Sequence, residues 1–267
     1  MQTNGILLDD EWIYIIFEQY KKLNIEISIS LDGSFEMNSL RINYNNQNTY
    51  NDVLNAYRLL SKNNINAGML SVISKHSLNL YVEYIELIKK IDNLKFVKIN
   101  PLFNMENNNL SKDSITPTEF AQFIINVANL YIKEEIYKKI AIEPILSMIQ
   151  KINNKESKYC NYNKNKCYQF ISLYPNGLVA PCDCFSSSEF EINIDKTISI
   201  SENIVNAINE NTIFNSLMND CKNCNIFDFC NAGCISQRYY FRNNKDLYDD
   251  YCESKKMLYS FSSKFKV

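Results

Sequence analysis

The chain has 267 residues, 30 acidic against 28 basic side chains and a formal net charge of −2. No basic run or Lys/Arg stripe marks it, which argues against nucleic acid or an anionic membrane as its main partner, and no stretch reaches the roughly eighteen apolar residues of a membrane span. The opening MQTNGILLDDEW lacks the basic and apolar segments of a secretory leader, so the expected location is the cytoplasm. In such a reducing compartment nine cysteines, an odd number, point to thiolate ligation rather than disulfides.

In chain order, a short entry containing QTNG (2–5) leads into a helix in which Trp12, Ile15, Ile16 and Phe17 recur at helical spacing. Residues 25–33, IEISISLDG, read as a strand running into a turn. Val53, Tyr57 and Leu60 mark a helix, residues 66–74 a strand, 77–91 a helix, and 94–103 a strand. Strand and helix alternating so regularly imply an α/β fold with parallel strands and right-handed crossovers. A further helix is expected to start at Thr116-Pro117-Thr118-Glu119, where Thr116 can cap, Pro117 suits the first turn and Glu119 completes a capping box. It runs to about residue 135, with a second over roughly 143–153, and these form a connecting region across 105–158.

From residue 159 the character changes. Two short strands flank Pro175-Asn176-Gly177, a hairpin signal because Asn and Gly tolerate positive φ. Helix and loop then carry the remaining cysteines, ending in a partly apolar helix near 251–261. Cys167 and Cys182 bracket the hairpin; Cys221, Cys224, Cys230 and Cys234 follow as CxxCxxxxxCxxxC, and Cys252 lies eighteen positions further on. Thiols at such intervals hold zinc or iron–sulfur clusters. With one histidine in the chain, mixed Cys/His zinc sites are disfavoured, whereas a structural four-thiolate zinc stays open.

The cysteines from Cys160 onward resemble the SPASM domain of radical S-adenosylmethionine (SAM) enzymes, and within that group the anaerobic sulfatase-maturating enzymes. QTNG, SISLDG and KINPLF are similar to the third to sixth strands of the radical SAM barrel. The resemblance implies an incomplete (β/α)6 partial barrel over 1–104, connecting helices over 105–158 and an α+β SPASM iron–sulfur domain over 159–267. It also implies two 4Fe-4S clusters with crossed ligation: Cys160, Cys167, Cys182 and Cys234 for one, Cys221, Cys224, Cys230 and Cys252 for the other. By the same resemblance Asp183 is the carboxylate that deprotonates a substrate Ser or Cys, and Gln2, Asn4, Ser30 and Arg41 face the SAM cofactor. The partner is a substrate protein or peptide.

The family's CxxxCxxC motif, whose three thiolates hold the SAM-binding cluster, does not occur: the first cysteine is Cys160. The chain is expected to begin inside the family's third strand, to bind SAM only if another segment, carried on a separate chain, completes the barrel, and to generate no radical alone. The histidine usual after the DG turn is replaced around Met37-Asn38, and LGNI reads EINI at 191–194. Cys184 has no family counterpart and reads as a spare thiol; His76 reads as a surface or capping residue. The reading from a different class is a non-catalytic iron–sulfur or peptide-binding module.

Overall fold

The computed structural model describes residues 1–164, 167, 171–175, 178–185, 192 and 194–267. The chain divides into two compact units, Met1–Asn104 with Leu110–Leu146, and Met105–Asn109 with Ser147–Val267.

The first unit is an α/β structure on five parallel strands. In sheet order these are β1 (Gln2–Thr3), β2 (Ile27–Ser30), β3 (Ala67–Ile73), β4 (Leu94–Pro101) and β7 (Ala141–Glu143), the two-residue strands β5 (Met105–Glu106) and β6 (Asn109–Leu110) lying elsewhere in the chain. Register is set by Thr3 opposite Ile29, Ile29 opposite Met69, Met69 opposite Val97 and Val97 opposite Ile142. Along β2, Ile27 and Ile29 are buried while Ser28 and Ser30 are half-buried, the period of two expected of a pleated strand. Helices α2 (Tyr50–Lys62) and α3 (Tyr81–Lys90) connect successive parallel strands and bury Val53, Tyr57, Leu60, Tyr84, Ile85 and Ile88. Tyr57 donates to the Gly68 carbonyl at 3.0 Å and Tyr84 to Ser71 Oγ at 2.9 Å, so the phenols that this packing buries keep partners.

Helix α4 (Pro117–Lys133) begins as expected: Thr116 Oγ1 accepts from the Glu119 amide at 3.2 Å and Glu119 Oε2 from the Thr116 amide at 2.9 Å, a complete capping box. Two local readings differ from the structure. The segment after Asp9 is a short α1 (Asp10–Ile13) continued as a π-helical stretch, Tyr14–Gln19. The wider winding turns Ile13 and Ile16 inward and leaves Trp12 half-exposed, where an α-period placed Trp12 on the apolar stripe. The fifth strand, Ala141–Glu143, falls inside the segment read as connecting helices, because three residues carry too little periodicity to register. Pro144 then separates this strand from α5 (Ile145–Ile152).

The second unit is α-rich. It holds an antiparallel pair, β8 (Ser172–Leu173) and β9 (Val179–Ala180), with Leu173 opposite Val179. The expected Asn176-Gly177 turn lies outside the described residues, as do residues 191 and 193 of the EINI stretch. Helices α6 (Ile200–Glu210), α7 (Thr212–Asn219), α8 (Phe227–Cys230), α9 (Ile235–Phe241) and α10 (Lys245–Ser262) follow. Val179, Phe185, Ile204, Ile208, Phe214 and Ile235 belong to its buried core, with Cys167, Cys182 and Cys221 packed against the margin.

Candidate metal centre

Every cysteine is a thiol rather than half of a disulfide, and all nine lie in the second unit. Cys221, Cys224, Cys230 and Cys252 line one cavity of about 40 Å³, walled by Ile226, Phe227 and Ala232. Three come from one loop-and-helix stretch. The Cys224 amide donates to the Cys221 carbonyl at 3.0 Å, a turn that brings the CxxC pair round to one side, and the Cys230 amide donates to Ile226 O at 2.9 Å in the first turn of α8. Cys252 arrives from α10. Four thiols with no histidine or carboxylate on the cavity lining are the donor set of an iron–sulfur cluster or a four-thiolate zinc, so the residues present fit the group.

Burial pushes the Cys221 thiol up to about 11, the nearby Arg238 charge opposing it, and raises Cys252 for the same reasons. Thiols so placed stay protonated near neutral pH unless a metal displaces the protons, which is how ligand binding couples to pH.

The link to the other sulfur set is the turn after α8. Asn231, Ala232 and Gly233 have φ of 45°, 63° and 65°, three successive residues in the left-handed region. The Gly233 amide donates to Cys230 O at 2.9 Å and the Cys234 amide to Tyr251 Oη at 2.6 Å. Cys234 Sγ lies 3.0 Å from Ser236 Oγ. Across from it, one ligand atom each from Cys182, Asp183 and Cys184 falls within 4.8 Å of the other two. Asp183 Oδ1 is 3.4 Å from Cys182 Sγ and 3.7 Å from Cys184 Sγ. The hydrogen bond with Cys184 holds the Cys182 thiol protonated, burial and the neighbouring Cys234 adding to it, while the same bond lowers Cys184. Cys184, expected to be a spare, therefore shares this corner. Cys160 sits in the turn stabilised by Ser157 Oγ, and Cys167 adopts φ of 59°.

In the first unit, Asn4 follows β1 directly and Ser30 ends β2, so both lie at the carboxyl ends of neighbouring parallel strands; Gln2, two positions before Asn4, opens β1. Asn4 Oδ1 accepts from the Ile6 amide at 3.1 Å. Arg41 is engaged by the aspartate of SLDG: its Nη2 is 2.7 Å from Asp32 Oδ1, which also accepts from the Val72 amide at 2.8 Å. Asn38, where the family keeps its histidine nearby, accepts from the Asp32 amide at 3.2 Å. The exposed His76 is flanked by Ser74 Oγ at Nδ1, 3.0 Å, and Ser39 Oγ at Nε2, 3.1 Å.

Sequence reasoning passed over Arg238, Tyr251 and Lys255, all on the wall of the cysteine cavity. Arg238 is 1% exposed. The available signal was spacing: Lys255 follows Cys252 by one helical turn, on the face that carries a ligand inward.

An α/β unit on parallel strands is followed by a cysteine-rich unit that gathers four thiols on one cavity, and chains similar to this one are radical SAM maturating enzymes. In sequence, the chain is 24% identical over 265 residues to the cysteine-type anaerobic sulfatase-maturating enzyme of Clostridium novyi (strain NT), covering 97% of this chain and 69% of that one. It is 21% identical over 259 residues to the serine-type enzyme of Bacteroides thetaiotaomicron, covering 90% of this chain and 61% of the relative. Its fold matches native anSMEcpe with bound AdoMet at a TM-score of 0.77 and 20% identity, over 98% of this chain and 71% of that one. The same enzyme with AdoMet and the Cp18Cys peptide also matches at 0.77, over 72% of its length. No family model matches. The chain is thus a relative of the anaerobic sulfatase-maturating enzymes and shares their fold. None of the described helices is long and apolar enough to cross a membrane.

Proposed function

We propose that this chain is the cluster-bearing part of a radical SAM/SPASM maturase of the formylglycine-generating type, acting in the cytoplasm on a Ser or Cys of a substrate protein or peptide. The observation that carries the reading is the convergence of Cys221, Cys224, Cys230 and Cys252 on one cavity in a chain related to both a cysteine-type and a serine-type maturating enzyme. These four would hold one 4Fe-4S cluster, and Cys160, Cys167, Cys182 and Cys234 the other. Residues 1–104 serve as the partial barrel, 105–158 as the connection and 159–267 as the SPASM domain.

Oxidation of a serine side chain to the aldehyde removes a hydrogen atom from Cβ, a proton from the hydroxyl and one electron. The clusters, when bound, supply a one-electron acceptor. Asp183 is exposed and takes the proton, and its neighbours Cys182 and Cys184 anchor it at the edge of a sulfur site. Removing the hydrogen atom requires SAM and a CxxxCxxC segment, which these 267 residues do not contain; a separate chain carrying it would complete the barrel, with Gln2, Asn4, Ser30 and Arg41 facing the bound SAM.

Anaerobic reconstitution of the purified chain tests the ligand assignment. About eight irons per chain are expected, falling to about four in Cys252→Ser, since each cluster holds four. Tightly bound zinc with little iron would overturn it.

A further inference from the structure

Arg238 is a buried guanidinium whose single ion pair is long and reaches a solvent-exposed carboxylate. Its Nη groups donate to the Leu217 carbonyl and the Tyr248 hydroxyl, both uncharged. The one carboxylate in range, Asp220, stands 3.7 Å away and is itself more than half exposed. Nε is buried without a hydrogen-bond partner. Lys255 is half-buried: its ammonium lies 4.8 Å from the ring centre of Tyr251 and 5.9 Å from that of Tyr162, and among the described residues no carboxylate pairs with it. A buried charge whose counter-charge is distant and solvent-exposed is poorly compensated, and a buried donor left unpaired is unfavourable. Both side chains line the cavity that gathers Cys221, Cys224, Cys230 and Cys252. An anion held in that cavity would meet both cations.

The two are not placed alike. Arg238 reaches the cavity from α9, on the side of Leu217 and Tyr248. Lys255 sits against Tyr251, whose hydroxyl accepts from the Cys234 amide, and against Tyr162, two residues beyond Cys160. Cys160 and Cys234 belong to the other sulfur set.

We propose that Arg238 and Lys255 are the counter-charges of the sulfur sites: Arg238 stabilises the cluster at Cys221, Cys224, Cys230 and Cys252 alone, and Lys255 stands between the two clusters and stabilises both. This rests on the ligand assignment above. A 4Fe-4S cluster on four thiolates is a net anion and gains a further negative charge on one-electron reduction. Fixed cations beside it in a poorly polarisable site favour the reduced form. Removing one therefore makes the cluster harder to reduce without removing a ligand.

The test is a redox titration of the anaerobically reconstituted chain, following each cluster by electron paramagnetic resonance, with iron and sulfide counted in the same samples. Lys255→Gln should keep wild-type iron and lower both midpoints by at least the equivalent of tenfold in the one-electron equilibrium, about 59 mV. Arg238→Gln removes the charge and should lower one midpoint only, whereas Arg238→Lys keeps the charge and should leave that midpoint near wild type. Wild-type midpoints for both clusters in a fully loaded Lys255→Gln protein would overturn the inference. If Arg238→Gln fails to fold, Lys255→Gln alone decides, because its side chain is half-exposed on α10. A wild-type chain that takes up zinc and little iron defeats the ligand assignment itself, and this inference with it; full iron with unmoved midpoints defeats only the inference.

Discussion

Replacing Gly233 by alanine puts the argument for the cysteine-bearing turn at risk most directly. Gly233 has φ of +65°, and a Cβ built there would lie 2.3 Å from Tyr251 Oη, 3.0 Å from Cζ and 3.1 Å from Cε1. Tyr251 cannot swing aside freely: it is 2% exposed, and its hydroxyl is the acceptor for the Cys234 amide. The left-handed backbone costs a non-glycine residue about 1 kcal/mol, overpacking a filled site typically about 1–3 kcal/mol, and a displaced hydrogen bond about 1 kcal/mol. The expected loss is about 3–5 kcal/mol for the second unit, measured by urea unfolding of the anaerobically prepared protein. Because the overlap is chiefly with one oxygen, Gly233→Ala combined with Tyr251→Phe should cost less than the sum of the single changes. A Gly233→Ala protein within about 0.5 kcal/mol of wild type, the range of ordinary surface substitutions, would refute this account of the turn.

That turn also shows where sequence was legible and where it was not. The intervals of Cys221, Cys224, Cys230 and Cys234 marked a thiol-rich site because such spacing is a local property of the chain, whereas Cys252 was grouped with the first three only by resemblance; these four line one cavity. The alternating strands and helices of the first unit were equally legible, since Ile27, Ile29, Val53, Tyr57 and Leu60 carry their periods openly and are buried. The charges of the site were hidden. Arg238 and Lys255 are long polar residues in sequence, and only packing withdraws Arg238 from water and sets Lys255 on the cavity wall. Likewise nothing in the SISLDG segment reveals that Arg41 is tied to Asp32, nine residues earlier, because that pairing depends on how the loop folds back. Strand β7 escaped for the opposite reason: three residues form a strand only because β4 offers an edge on which to pair.

Two further changes separate scaffold from chemistry. Thr116→Ala removes half of the capping box of α4 and should cost the first unit about 1 kcal/mol in unfolding; full stability would contradict the cap geometry. Burial works to raise the Glu119 carboxyl, but the bonds from Lys75 and the Thr116 amide outweigh it and lower the group. A carboxyl lowered on folding contributes stability above its unfolded value that fades as pH falls through the folded one, so the stability Glu119 adds should fade in acid in wild type and Thr116→Ala alike, since alanine keeps the Thr116 amide. Asp183→Asn tests the proposed base. The change is isosteric at an exposed position between Cys182 and Cys184, so a carboxylate that only shapes the turn, or that helps hold iron, would show its loss as altered iron content or stability. A carboxylate whose work is to take the substrate's proton would leave both at wild-type values, while formylglycine formation, assayed with a CxxxCxxC-bearing segment supplied, falls by the roughly 10²–10⁴-fold of a lost general base. Wild-type turnover in a fully loaded Asp183→Asn protein would remove Asp183 from the reaction.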